Sequence, residues 1–199
     1  ALGHGIRPDG SNYFPVFPYP SYAAMRAEDV LAIKAYLFAQ APVARPNREH
    51  EVQAPFSWRW TVRAWKWLFF RPTPWQDRAD RDAQWNRGAY LVHAVAHCGE
   101  CHTPRNAFGA MQPSRFLAGT TEGPDGDLVA NITPDPKTGI GEWSADDIAR
   151  LLRDGTKPDY DDVQGSMAEV IREGLAHLRA DDLNAIARYI RSVPAIDNN

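Results

Sequence analysis

The chain has 199 residues, 44% of them hydrophobic and 24% charged, and a formal net charge of -3. That balance excludes a disordered chain, and so mild a charge without a basic run excludes a nucleic-acid partner. No apolar run approaches the ~20 residues of a membrane span, and Ala1–Gly5 lacks the basic and apolar regions of a signal peptide. The first residue is alanine, not methionine, which is expected of a mature product or a fragment. With 14 glycines and 16 prolines, long irregular loops are expected.

Residues 1–43 resemble the end of the same chain. Gly5-Ile6-Arg7-Pro8-Asp9 parallels Gly155-Thr156-Lys157-Pro158-Asp159 at an offset of 150. Residues 26–36 parallel residues 179–189 at an offset of 153, sharing Arg, Ala, Asp, Ala, Ile and Tyr. Two copies of one module tail are implied, the second longer by three residues. Each tail is predicted to end in a helix. Val30, Ile33, Ala35 and Leu37 in the first, and Leu183, Ile186, Ala187 and Ile190 in the second, approach the helical period. Glu28-Asp29 and Asp181-Asp182 sit where acids favour a helix N-terminus.

Residues 44–55 are polar, proline-containing and aperiodic, and read as linker. Phe56–Phe70 reads as a helix crowded with aromatics, including four of the seven tryptophans. Arg59, Arg63 and Lys66 share one face. A membrane-surface or partner helix is one reading; an aromatic bridge packed between two domains, with lysine and arginine stems covering the rings, is the favoured one. Linker and helix together span 44–76, and a second module spans 77–199. In it, Gln84–Val92 is predicted as a helix. Residues 103–142 are loop, a length that a compact domain tolerates only when something else supplies the core. Trp143–Leu152 is the next helix, with Ser144 as N-cap, Asp147 completing a capping box, and Gly155 closing it.

Between helix and long loop lies Cys98-Gly99-Glu100-Cys101-His102, which holds both cysteines of the chain. Two thiols at this spacing add to the two vinyl groups of haem, and the adjacent His102 then lies under the iron. A zinc site would need further ligands at the right spacing, and no other cysteine exists. A dithiol redox site would need a βαβ context, and none is evident. The second axial ligand must come from elsewhere, from Met111, Met167, His93, His97 or His177. His97 is too tethered to reach the opposite face, His177 reads as a packing or surface residue, and Met111 lies close to the motif. Met167, in a loop before the last helix and at a repeated position, is favoured. A His/Met pair raises the potential relative to bis-histidine ligation, and an iron with both axial positions filled suits electron transfer.

These segments resemble a known family. Trp85–Leu91, Cys98–Asn106, Asn131–Asp135 with Gly139–Ser144, and Gly165–Val170 are similar to the multihaem cytochrome c subunits of bacterial membrane-associated dehydrogenases, those of alcohol, gluconate and nicotinate dehydrogenases among them. Residues 5–70 resemble the tail of a preceding haem domain and the segment joining two domains. The resemblance implies an all-α cytochrome c fold around one covalent haem, attached at Cys98 and Cys101, with His102 and Met167 as axial ligands. It implies a periplasmic electron carrier, or one on the periplasmic face of the membrane, that takes electrons from a dehydrogenase subunit. The acceptor would be a quinone, an oxidase or another cytochrome. Two departures stand out. Where the family's preceding domain carries Pro-x-Met-Pro, this chain has Pro15-Val16-Phe17-Pro18, and the preceding Cys-x-x-Cys-His is absent. They leave an alternative open, a haem enzyme or ligand sensor with an exchangeable axial site. Residues 1–43 are expected to meet a second copy or a missing domain.

Overall fold

A computed structural model describes residues 1–198 except Asn47, Glu49, Gln53, Pro55, Phe56, Pro124 and Asp125. Part of the expected linker and the first residue of the aromatic stretch therefore lie outside the described residues. Among the described residues the regular structure is helical, β-pairing is limited to isolated bridges, and no helix is long and apolar enough to cross a membrane. The all-α expectation is met. The chain folds as two compact units, 1–75 and 76–199.

The first unit contains α1 (Tyr19–Tyr22), α2 (Ala27–Ala39) and α3 (Thr61–Phe69). Its centre is Tyr19, fully buried. The Phe70 ring meets it edge-on at 5.1 Å, and Lys66 Nζ stands 5.1 Å from its centroid. Gly5, at φ +57°, lies flat on the ring, where an added Cβ would come within 2.5 Å. Only glycine meets both demands. Two basic residues of the aromatic stretch, Lys66 and Arg59, turn onto the loop of residues 4–14. Lys66 donates to the carbonyls of His4 and Gly5 and to Asn12 Oδ1. Arg59 donates to Asn12 O at 2.7 Å while stacking on Phe14 at 4.5 Å. Within the first unit, then, these two residues lie over rings, as expected of the basic residues in this stretch. α3 is shorter than predicted, and Arg59 precedes it. Trp58, Trp60, Trp67 and Leu68 stay exposed.

The second unit contains α4 (Ala83–Tyr90), α5 (Gly99–His102), α6 (Ala145–Asp154), α7 (Gly165–Glu173) and α8 (Ala180–Ile190). α4 and α8 cross closely, and α6 packs on α8. The Trp85-Asn86-Arg87-Gly88 run explains the α4–α8 crossing residue by residue. Trp85 meets Tyr189 edge-on and donates from its indole to Ser192 Oγ at 2.6 Å. Buried Asn86 holds the preceding loop, accepting from Arg78 N and donating to Arg78 O and Arg81 O. Arg87 forks onto buried Asp182 at 2.7 and 3.0 Å. Gly88 lets the helices touch, because a Cβ there would lie 1.9 Å from the Ala185 carbonyl oxygen. α6 has the predicted capping box between Ser144 and Asp147, and Gly155 ends it at φ +83°.

The internal repeat extends to individual hydrogen bonds. Arg7 N donates to Ser11 O at 2.8 Å, as Lys157 N does to Asp161 O; Tyr13 N donates to Gly5 O at 2.9 Å, as Val163 N does to Gly155 O. Asp9 and Asp159 each accept from the N–H two residues on. Past the loop the match resumes at offset 153: Ala24 N to Ser21 O mirrors His177 N to Gly174 O, and Met25 N to Tyr22 O mirrors Leu178 N to Leu175 O. The three extra residues therefore fall between these two stretches, where four-residue α1 faces nine-residue α7. Met167 sits opposite Phe17 at the first offset and Phe14 at the second, and neither ring can bind iron.

Candidate haem site

The motif is presented by a change of helical pitch. α4 passes into a π-turn at Leu91–Val95, a local widening that recurs at functional sites. His97 follows in the left-handed region at φ 41°, and Cys98 N closes the turn onto Val92 O. α5 then carries Gly99 to His102, so Cys98 and Cys101 lie one turn apart on one side. Phe116 packs against Gly99, where a Cβ would come 2.5 Å from its ring. His93 stacks on the other side of this contact, its ring parallel to Phe116 within 7° at 4.5 Å, and shares a 2.6 Å hydrogen bond with the Tyr189 hydroxyl. Burial pushes the His93 ring down to about 4, so it is neutral at pH 7. It packs in the motif's support.

His102 is anchored through one ring nitrogen. Its Nδ1 lies 2.8 Å from the Ala130 carbonyl oxygen. A carbonyl can only accept, so Nδ1 holds the proton and Nε2 keeps its lone pair. Burial lowers the ring's pKa, which also favours the neutral form. A neutral imidazole with one nitrogen anchored and the other free is the form in which histidine binds a metal, and the anchor raises its basicity. Burial likewise pushes the Cys98 thiol up to about 12 and the Cys101 thiol upward, so both are neutral thiols in the unattached chain. Among the described residues no three His, Cys, Asp or Glu side chains gather at metal-binding spacing.

The Ala130 carbonyl is itself held in place. Asn131 Oδ1 accepts from Thr133 N at 2.9 Å and Thr133 Oγ1 at 2.7 Å. Its amide donates to Thr138 Oγ1 and to Ile196 O. Asn131 and Thr133 are buried, so the network is shielded from competing water. On the other flank, Gly119 N donates to His102 O, and Thr103 Oγ1 accepts from Leu117 N. Leu117 is fully buried although its φ is +65°. Asn131 and Thr133 fall within the segments that resemble the family, but their residue types alone do not show that they hold this carbonyl. Their signal was polar residues beside apolar ones in a loop too long to be idle.

Met167 lies in the first turn of α7, not in the loop before it as expected, and is half-buried. Met111 pairs with Arg105 in a bridge close after the motif. His177 is exposed.

The comparisons with known proteins point to c-type cytochromes. Over 197 residues the chain is 42% identical to a diheme cytochrome c-type protein of Cereibacter sphaeroides, covering 99% of this chain and 64% of that one. The chain is a homologue of c-type cytochrome subunits. It is 37% identical to the gluconate 2-dehydrogenase cytochrome c subunit of Pantoea cypripedii (99% of this chain, 46% of the relative). With the fructose dehydrogenase cytochrome subunit of Gluconobacter japonicus it shares 41% (98% of this chain, 40% of the relative). The chain thus spans between two-fifths and just under two-thirds of the length of these relatives. No protein-family model matches it.

Proposed function

We propose that this chain transfers electrons as a cytochrome subunit of a periplasmic dehydrogenase complex, passing them to a respiratory acceptor. It does so through one haem attached at Cys98 and Cys101 and ligated by His102 and Met167. The haem supplies a one-electron couple. The residues do the rest: His102 offers Nε2 because Ala130 O holds Nδ1–H, and the Asn131 network keeps that carbonyl still. A ligand held so firmly moves little between oxidation states, which keeps reorganisation small.

The observation that carries this reading is the His102–Ala130 hydrogen bond. The relatives, named as cytochrome subunits of gluconate and fructose dehydrogenases, support a dehydrogenase as electron donor. Residues 1–43 are proposed as the tail of a preceding cytochrome-like module. Exposed Trp58, Trp60, Trp67 and Leu68 support a membrane-surface contact through residues 56–70. The proposal is tested by the near-infrared spectrum of oxidised protein, in which a methionine–iron band should be present and should vanish in Met167→Ala. Its survival in that variant would remove Met167 as ligand.

A further inference from the structure

The first unit holds a cleft of about 680 Å³, lined by Arg7, Arg48, Arg59, Ser57, Tyr13 and Phe14 among others. Three arginines converge on it, and none of its described lining residues is acidic. Two of the three are braced by aromatic walls. Arg59 stacks on Phe14 at 4.5 Å and gives one N–H to Asn12 O, while Arg7 stands 5.9 Å from the Tyr13 centroid. His50 meets Phe14 edge-on from 5.4 Å. A guanidinium carries several donors in a fixed fork, so Arg59 keeps donors beyond the one that Asn12 takes. Arg7 has Asp9 at 3.8 Å, an exposed pair of the weak kind. Among the described residues Arg48 enters no ion pair. Positive charge is therefore in excess in this recess.

The run Ser57-Trp58-Arg59-Trp60 alternates between cleft and solvent. Ser57 and Arg59 line the cleft, whereas Trp58 and Trp60 are 52% and 67% exposed. Their indoles stack at 6.1 Å with 18° between the planes. Bared indoles settle at the headgroup level of a bilayer, and arginine forks take phosphate oxygens two at a time. We propose that the cleft seats the phosphodiester of an anionic phospholipid headgroup, with Arg7, Arg48 and Arg59 on its oxygens and the Trp58–Trp60 pair in the interface beside it. This rests on the membrane-surface contact proposed for residues 56–70, to which it adds a headgroup site, and is independent of the haem and its ligands.

The alternation selects a lipid over a free phosphate ion. A free ion uses the arginines and leaves the indoles bare, whereas a lipid covers both. The volume of the cleft lies in the range of small-molecule sites, which leaves room for the headgroup alcohol beside the phosphate.

The test is co-sedimentation of the haem-loaded chain with vesicles of phosphatidylcholine, alone or in equimolar mixture with phosphatidylglycerol. The mixed vesicles should bind more tightly. Arg48→Gln should weaken that binding by about fivefold, the effect of one basic residue at an anionic surface, and leave binding to pure phosphatidylcholine unchanged. Arg48 is exposed, so its substitution leaves folding intact. Lys34→Gln removes the same charge from α2, outside the cleft, and should change neither. Trp58→Ala combined with Trp60→Ala should weaken binding to both kinds of vesicle. Equal losses in Arg48→Gln and Lys34→Gln would overturn the headgroup site and leave the membrane contact standing. Calorimetric binding of inorganic phosphate that Arg48→Gln abolishes, without preference for phosphatidylglycerol, would overturn it too, assigning the cleft to a free ion. Failure to bind either vesicle would remove the membrane contact together with the site.

Discussion

His93 shows how one buried ring links pH to the integrity of the site. Its folded pKa, about 4, lies below the ordinary 6.5 because burial disfavours the charged ring. The unfolded chain takes up this proton near pH 6.5, while the folded chain resists until about 4. Stability is therefore full above the unfolded value and falls as the pH drops from 6.5 towards 4, by up to about 1.4 kcal/mol per pH unit for one proton. Denaturant unfolding of the wild type and His93→Gln between pH 4 and 7 checks this, and the variant should show a visibly shallower slope. Asn131 makes a second case. Its carboxamide satisfies Thr133 and Ile196 in a buried loop, so Asn131→Leu should cost about 2–3 kcal/mol by orphaning them. The same change should loosen Ala130 and alter the His102 ligand field, which the reduced Soret and α bands would report.

At the scale of elements, the α4–α8 crossing is the most demanding contact of the second unit. Gly88→Val would drive two methyl groups and a Cβ into a backbone carbonyl that cannot rotate away. A loss of about 3 kcal/mol or more is expected, read as a lower midpoint in chemical denaturation. The equivalent change at exposed Gly109, which has open space around it and φ +74°, should cost only the strain of a left-handed valine. Much of this layer was legible in the sequence. The capping box of α6, the acidic first turns of α2 and α8, and the Gly155 stop are set by local chemistry, so they were readable from residue type alone. The π-turn after α4 was not, because no propensity marks a one-residue widening. Neither was the placement of Met167 inside α7, since Gly165 at φ +66° starts a helix where a glycine-containing run reads as loop. The aromatic stretch misled over length: Arg59 and Lys66 are spaced for one helix face, yet Arg59 lies before α3 and both reach the 4–14 loop.

At the scale of the whole molecule, the chain is a repeat that holds one Cys-x-x-Cys-His motif. The motif alone announced haem, because two thiols and a histidine at this spacing have few other uses. The repeat was visible too, and its hydrogen bonds match at the same offsets. What the sequence could not convey was the uneven cover on the two copies of the last helix, α8 with a buried face and α2 with no buried residue, since exposure depends on what packs nearby and not on the helix itself. Intact-mass analysis of this chain should find one covalently bound haem. Two haems, or none, would break the assignment of Cys98 and Cys101 as the attachment pair.

The central claim is an iron closed on both sides by His102 and Met167. Near-infrared absorption of the oxidised protein, with and without Met167→Ala, tests it most directly. The account predicts a methionine–iron band in the wild type, its loss in the variant, and carbon monoxide binding to reduced iron only in the variant. A wild type that lacks the band and binds carbon monoxide would contradict it, as would a variant that keeps the band.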